Sequence, residues 1–529
     1  MKNLLLWLCF FFNIAFCQAQ SNIDVLHYKF EVELSDTTNA IIGKATIKLI
    51  SLKDEDRFQL NFFNSPKAVD FIRVFENQQP IFVKRAEGTH VIEMEPEIPL
   101  KKNEERTFTI NYKCTPADGL IISKNKYGHR TFFADNWPDR AHNWIPCVDD
   151  PADKATVEFI VTAPSHYQVI SNGIQIEETN LPDNKKLTHW KEDVPLPTKV
   201  MVIGVADFAV NYTGDVNCIP ISSWVFPENK KEGFSDYAQA KDILAFYSNY
   251  IGPYPYRKLA SVQSKTIFGG MENASAIFYF ENSVTGKQEE EALIAHETVH
   301  QWFGNMATEK SFAHLWLSEG FATYLTHIFI ESKYGTDSLN KEMQADRETV
   351  IHFVKSSHKP VVDSVSPYKQ LLNANSYQKG SWVLQMLRRQ LGDSVFKRSI
   401  RKYYAAYAGK NAETKDFQKI VEDVSGKNLS AFFSQWLNCS VNPSLKITWK
   451  YLSKEKKIKV DIEQTQGETV FNIPLEIEIR FSAGKKITMP LNITSKLQSF
   501  IWPVKEKPLT IIADPNTSLL FEGRISELK

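Results

Sequence analysis

His296-Glu297-Thr298-Val299-His300 is the stretch on which the reading of this chain turns. Residues four apart lie on one face of a helix, so two imidazoles at this spacing can both reach one zinc ion. Glu297 follows His296 directly and sits beside that face, where it can hold a water without being a ligand. The helix is well marked at both ends. Glu289, Glu290 and Glu291 suit its positive N-terminus, and Gly304 suits its stop. The bland alternative is a core-facing helix with two partly buried histidines. What weighs against it lies downstream. A catalytic zinc takes three protein ligands and keeps one open position, and Glu319 offers the third after an interval of 18 residues. Ser318 is expected to cap a second helix, and Gly320 to let the two helices approach closely.

Around these helices the chain changes character twice. From His27 to about Phe208 it alternates polar and apolar residues, as in His27-Tyr28-Lys29-Phe30-Glu31-Val32-Glu33-Leu34 and in Arg106 to Tyr112. This predicts an antiparallel β domain over residues 20–210. From Asn211 to about 440 the periodicity turns mostly helical, with helices expected at 235–250, 289–303, 318–334, 376–391, 393–408 and 414–424. After Pro443 alternation returns, as in Leu445-Lys446-Ile447-Thr448-Trp449, and predicts a small β-sandwich over residues 441–529. The fold class expected is therefore α+β and multidomain, with β regions flanking a helix-rich catalytic region.

Composition sets outer limits. The 529 residues carry 62 Lys+Arg and 62 Asp+Glu, and this balance lacks the basic excess of a nucleic-acid binder. Residues 1–19 read as a secretory signal peptide: a basic start at Lys2, an apolar core from Leu4 to Phe16, and Ala19 before the cut. That core is too short to span a bilayer, and no second run is long enough to do so. The chain is therefore expected to be exported, secreted or periplasmic. An N-terminal anchor and an acylated Cys17 are the alternatives, the second disfavoured by the bulk of Phe16. Cys114, Cys147, Cys218 and Cys439 are far apart, without zinc-finger spacing, and read mostly as core residues.

Several motifs now line up in order. His300-Gln301-Trp302-Phe303-Gly304-Asn305 follows the second histidine, and Trp316-Leu317-Ser318-Glu319-Gly320 surrounds the candidate third ligand. Gly269-Gly270-Met271-Glu272-Asn273 lies upstream, and Tyr377-Gln378-Lys379-Gly380 downstream. With these the sequence resembles the gluzincin aminopeptidases, the group containing aminopeptidase N and leukotriene hydrolase, over about residues 130 to 392. Ser318 departs from the family's usual Asn. The resemblance implies a saddle-shaped N-terminal sheet domain, a thermolysin-like catalytic domain and one zinc ion on His296, His300 and Glu319. It assigns substrate binding to Gly269, Gly270, Met271, Glu272 and Asn273, with Glu272 on the substrate's free N-terminus. It places Tyr377 on the oxyanion. Counting back from Cys147 in Ile145-Pro146-Cys147-Val148-Asp149-Asp150-Pro151 puts Asp135 where the family has an amine-binding Gln or Glu.

The expected chemistry follows. Glu297 acts as general base and then acid, Tyr377 and the metal stabilise the tetrahedral oxyanion, and carboxylates at a fixed distance from the metal restrict cleavage to the first peptide bond. The substrates expected are peptides with a free N-terminus. Two alternatives share the zinc site: an epoxide hydrolase of the leukotriene hydrolase type, and a non-catalytic zinc-binding protein, for which an intact Glu297 and Tyr377 would be superfluous.

Overall fold

Strand Ile23–Glu33 shows how the alternating pattern is used. Val25, Tyr28, Phe30 and Val32 point into the core. The step of three between Val25 and Tyr28 marks a bulge, where the register against the next strand shifts. The computed structural model describes residues 22–65, 68–86 and 88–528; the leader expected at 1–19, with Cys17, lies outside them. Ile23–Glu33 pairs antiparallel with Ile41–Ser51 and parallel with Ala155–Pro164, inside an eight-stranded sheet. A four-stranded and a three-stranded sheet complete this N-terminal region. Their inward faces meet in one apolar cluster that includes Tyr28, Phe58, Phe108, Trp144 and Phe159.

Residues 209–280 depart from the helical expectation. They form a five-stranded sheet, in the order Ala209–Val216, Ile219–Val225, Leu259–Ser264, Ala276–Phe280 and Gly270–Met271. Three of these strands pair in parallel, and Leu259–Ser264 is buried at every position. A strand covered on both faces has no reason to alternate, so periodicity could not reveal it. The expected helix at 235–250 is in fact two, Lys230–Tyr237 and Ala240–Tyr250.

The rest of the middle region is built from the helices Glu291–Val299, Trp316–Tyr334, Thr336–Ser357, Gly380–Leu391, Asp393–Tyr407 and Thr414–Ser425, with the short Ser430–Phe433 after them. Thr336–Ser357 was not expected. Trp316–Tyr334 is buried at nearly every position from Trp316 to Phe329; it is the central helix against which the metal helix, Glu291–Val299, is packed. Among the described residues no helix is long and apolar enough to cross a membrane.

The C-terminal strands form a four-stranded and a three-stranded sheet. Ile447, Val460 and Ile462 of the first and Ile477, Ile479 and Ile493 of the second belong to one core with the helices. Cys114 and Cys147 are buried and Cys439 half-buried, as expected of core residues, but Cys218 is exposed; all four are free thiols.

Candidate active site

The metal helix carries His296 and His300 one turn apart. Their Nε2 atoms lie 3.2 Å from each other. Glu319, in the first turn of Trp316–Tyr334, brings Oε2 to 3.4 Å from the first and 3.2 Å from the second. An ion bound tetrahedrally with bonds of ~2.0–2.1 Å would have ligand atoms about 3.3 Å apart. The three atoms therefore stand at the corners of one face of such a tetrahedron. They are the one group of this kind among the described residues.

Two further observations test the fit. Glu319 Oε2 is buried and accepts no well-formed hydrogen bond, which is costly for a carboxylate unless a cation stands beside it. Burial alone would lower the His300 imidazole, yet the Glu319 carboxylate raises it to about 10. Burial would likewise raise Glu319, but the His300 and His296 imidazoles hold it well below the ordinary carboxylate range. The trio is thus built around one positive charge, and with a metal bound that charge need not be a proton. A His that donates from Nδ1 leaves the Nε2 lone pair free for an ion. His300 Nδ1 lies 3.1 Å from the Phe303 carbonyl and 3.1 Å from Ser318 Oγ.

Ser318 therefore does not cap its helix. It sits in the helix's first turn, behind Leu315 and Trp316, with its hydroxyl turned onto His300. Gly304 makes room for it: a Cβ there would lie 2.3 Å from Ser318 Oγ. Gly320 does allow the close approach expected of it, but its partner is the helix after Tyr377. A Cβ on Gly320 would come within 2.8 Å of Gly380 Cα.

The metal trio opens into a cleft of ≈ 280 Å³. Gly269, Gly270, Met271, Glu272, Glu297 and Tyr377 all line it. Gly270–Met271 is the short edge strand of the five-stranded sheet, and it lies directly on the metal helix. Gly270 has no room for a side chain, since a Cβ would sit 2.4 Å from Glu297 Oε1. Burial pushes the Glu297 carboxyl well above the usual range; His300 opposes that, and Glu272 and Glu319 add to it. Tyr377 stands in a π-helical turn, Asn375–Lys379, a distortion frequent at functional sites. Its ring stacks on His296 with centroids 6.0 Å apart. Burial, then the carboxylates Glu319, Glu272 and Glu297, raise its phenol well above the ordinary value, so it stays protonated and able to donate.

Two expected site residues are elsewhere. Asn273 is fully buried behind the cleft wall, in the turn that follows Glu272. Asp135 is also fully buried and its oxygens are taken. Oδ1 accepts from the Arg140 guanidinium, and Oδ2 from the Thr266 hydroxyl and the Ile267 N–H, each at 3.0 Å. Burial raises its carboxyl despite Arg140. Asn136 is equally occupied, by Thr198 O, Met201 O and the Trp144 indole. The residue this segment sends to the cleft is Trp137, packed edge-on against Phe268 and Phe312 with centroids 5.9 and 5.7 Å away. It forms an apolar wall with Phe268, Leu293 and Leu372. Counting from Cys147 found the right segment and the wrong side chain, since which of three neighbours faces inward depends on the local turn.

A larger cavity, ≈ 610 Å³, lies between residues 386–390 and the C-terminal strands. It holds none of the His-His-Glu trio, so the smaller cleft is the candidate site.

Comparison with known proteins agrees with this geometry. Residues 25–200 match the Peptidase M1 N-terminal domain, and residues 236–436 the Peptidase family M1 domain. "Probable aminopeptidase 2" of Sulfurisphaera tokodaii is 27% identical over 537 aligned residues, which take in 94% of this chain and 63% of that protein. "Leucyl aminopeptidase" of Saccharolobus solfataricus is 24% identical with the same coverage of each. "Aminopeptidase M1" of Arabidopsis thaliana is 29% identical over 62% of this chain and 38% of its own length. The chain spans less than two thirds of the length of each of these relatives. With both domains of one family matched in order, and a His-His-Glu trio at the centre of the second, the chain belongs to peptidase family M1.

Proposed function

We propose that this protein is a zinc aminopeptidase that removes the N-terminal residue of peptides. The observation that carries the reading is the sharing of one cleft by the metal trio, Glu297, Tyr377 and Glu272. His296, His300 and Glu319 would hold zinc, which supplies Lewis-acid polarisation and activation of water when bound. Glu297 lies beside the trio and takes a proton from the attacking water, then returns it to the leaving amine. Tyr377 donates its hydroxyl hydrogen to the oxygen on which charge develops. Glu272 holds the substrate ammonium, and the fixed separation of Glu272 from the metal admits one residue between them. Trp137, Phe268, Leu293 and Leu372 wall the cleft with apolar surface, which favours an apolar first side chain.

The same reading divides the chain into an N-terminal β domain at 20–210 of saddle shape, a thermolysin-like catalytic domain at 211–440 and a C-terminal β-sandwich at 441–529. It includes export directed by residues 1–19. A panel of amino-acid anilides tests the activity. Anilides with a free amine should be hydrolysed, with apolar residues preferred. Their N-acetyl derivatives should resist. A chelator should abolish turnover and zinc restore it. Active protein without stoichiometric metal, or equal cleavage of acetylated substrates, would overturn the proposal.

A further inference from the structure

The segment that leaves the metal helix carries two buried amides that the chemistry above does not use. Gln301 and Asn305 are fully buried, and neither side chain lines the cleft or the trio. Both reach the same atom. Gln301 Nε2 donates to the Glu272 carbonyl at 2.8 Å, and Asn305 Nδ2 donates to it at 2.6 Å. Gln301 also grips the far side of the same turn, where its Oε1 accepts from the Ser275 N–H at 2.8 Å. The backbone needs this help. The edge strand ends at Met271, so the Glu272 carbonyl has no strand partner, and a buried carbonyl left unpaired is strongly disfavoured. Asn305 is itself registered to the second histidine, since its N–H donates to the His300 carbonyl at 3.1 Å.

These bonds make a short rigid path. It runs from His300 through its neighbour Gln301, and through Asn305, to the backbone of Glu272. We propose that Gln301 and Asn305 are positioning residues that set the distance between the metal and the Glu272 carboxylate, and so fix where the substrate's ammonium is held. The inference rests on the reading of Glu272 as the group that holds that ammonium. Neither amide touches substrate; each acts through the Glu272 backbone. Loosening the path should therefore cost recognition of the amine while leaving the metal and its chelators alone.

The test uses the full-length zinc-loaded protein and two probes: L-leucine hydroxamate, and 4-methylpentanohydroxamate, which lacks only the amine. Their inhibition constants give an amine advantage as a ratio. The variants are Gln301→Met, which keeps the volume but removes the donor, and Asn305→Ala; Glu272→Ala is the reference. Zinc content and unfolding midpoint near those of the parent qualify a variant, and Gln301→Met serves alone if Asn305→Ala does not fold. In the parent the ratio should strongly favour the amine, and Glu272→Ala should abolish that preference. In Gln301→Met and Asn305→Ala, leucine hydroxamate should weaken about tenfold or more, the scale of sub-ångström misplacement, with the des-amino probe unchanged. A parent-like ratio in both variants, with the preference lost in Glu272→Ala, would refute the positioning role and leave the reading of Glu272 intact. Equal weakening of both probes would show that the amides serve the metal instead, which also refutes it. A parent enzyme with no amine preference would remove the reading of Glu272 itself, and the positioning role with it.

Discussion

Gly270→Ala isolates the contact between the edge strand at Gly270 and Glu297, the carboxylate proposed as the base. The added Cβ would stand 2.4 Å from Glu297 Oε1 and 2.5 Å from its Cδ and Cγ. Carbon and oxygen atoms settle at about 3.5 Å, so the carboxylate must move by roughly 1 Å. The backbone at Gly270 is not left-handed, so the cost of alanine there is steric; overpacking of this kind should destabilise by about 1–3 kcal/mol. A displacement of that size at a reacting group costs about 10²-fold in rate, equivalent to ~2.7 kcal/mol of barrier. The loss should fall on kcat, because the proton-transfer geometry is what moves. Initial rates on a free-amine anilide, with metal analysis and a denaturation curve on the same preparation, provide the assay. A variant with parent-level kcat would refute the placement of Glu297 as the base under this strand. A rise in KM with kcat unchanged would refute it as well, since the methyl group would then only block the substrate.

Four further outcomes are expected. Glu297→Gln should keep its metal while turnover falls ~10²–10⁴-fold, measured by steady-state kinetics beside metal analysis. Tyr377→Phe should lose about 2.7–4 kcal/mol of transition-state stabilisation, in kcat more than in KM; a change in KM alone contradicts the oxyanion role. Gly320→Ala drives a methyl group to 2.8 Å from Gly380 Cα and 3.1 Å from the Ser376 carbonyl. That is a backbone clash, so it should destabilise by ~1–3 kcal/mol in chemical denaturation and disturb Tyr377 along with the third ligand. Asp135→Ala should act on stability and spare the amine preference. It strips a carboxylate from buried Arg140, which costs toward the lower end of ~3–5 kcal/mol because Asp118 still pairs with that guanidinium at 2.7 Å.

The metal trio was legible because its information is local. Two histidines share a helix face by spacing alone, and Glu319 sits in the first turn of the next helix. Glu297 and Gly270 were legible as motif members, although their mutual contact was not. What sequence could not supply is direction. Asp135, Asn136 and Trp137 are consecutive, and only the fold decides that Trp137 faces the cleft while Asp135 turns to Arg140. Ser318 looked like a cap because caps are what serines do before helices; its hydroxyl is spent on His300. Leu259–Ser264 and Ala276–Phe280 of the sheet at 209–280 escaped because strands buried on both faces carry no alternation. Gln301 and Asn305 stand in a recognisable motif, but their common target is a carbonyl about thirty positions away along the chain.

The N-terminal β region is part of this site's architecture in a physical sense. Lys199, fully buried, pairs with Glu309 just beyond the metal helix. Lys154 donates to the carbonyls of Met306 and Lys410, at 2.8 and 3.1 Å, with Asn305 O at 3.4 Å. Burial lowers the Lys154 ammonium to about 7, with Glu309 opposing, and burial raises the Glu309 carboxyl against Lys199. Groups whose charged forms are disfavoured in this way contribute little net stability as pairs, but removing one partner strands the other at ~3–5 kcal/mol. They tie the β region to the segment around Asn305, Met306 and Glu309, whose carbonyls also accept from Thr308 and Gly409 within the helical region. Asn305 in that segment also holds the Glu272 backbone, so the contacts of the β region and the positioning proposed for Glu272 meet at the same few residues. A fragment beginning near residue 211 would leave Glu309 without the cation it pairs with here. It would keep all three metal ligands with Gln301 and Asn305, and lose the ties from Lys154 and Lys199 to the segment that carries Asn305.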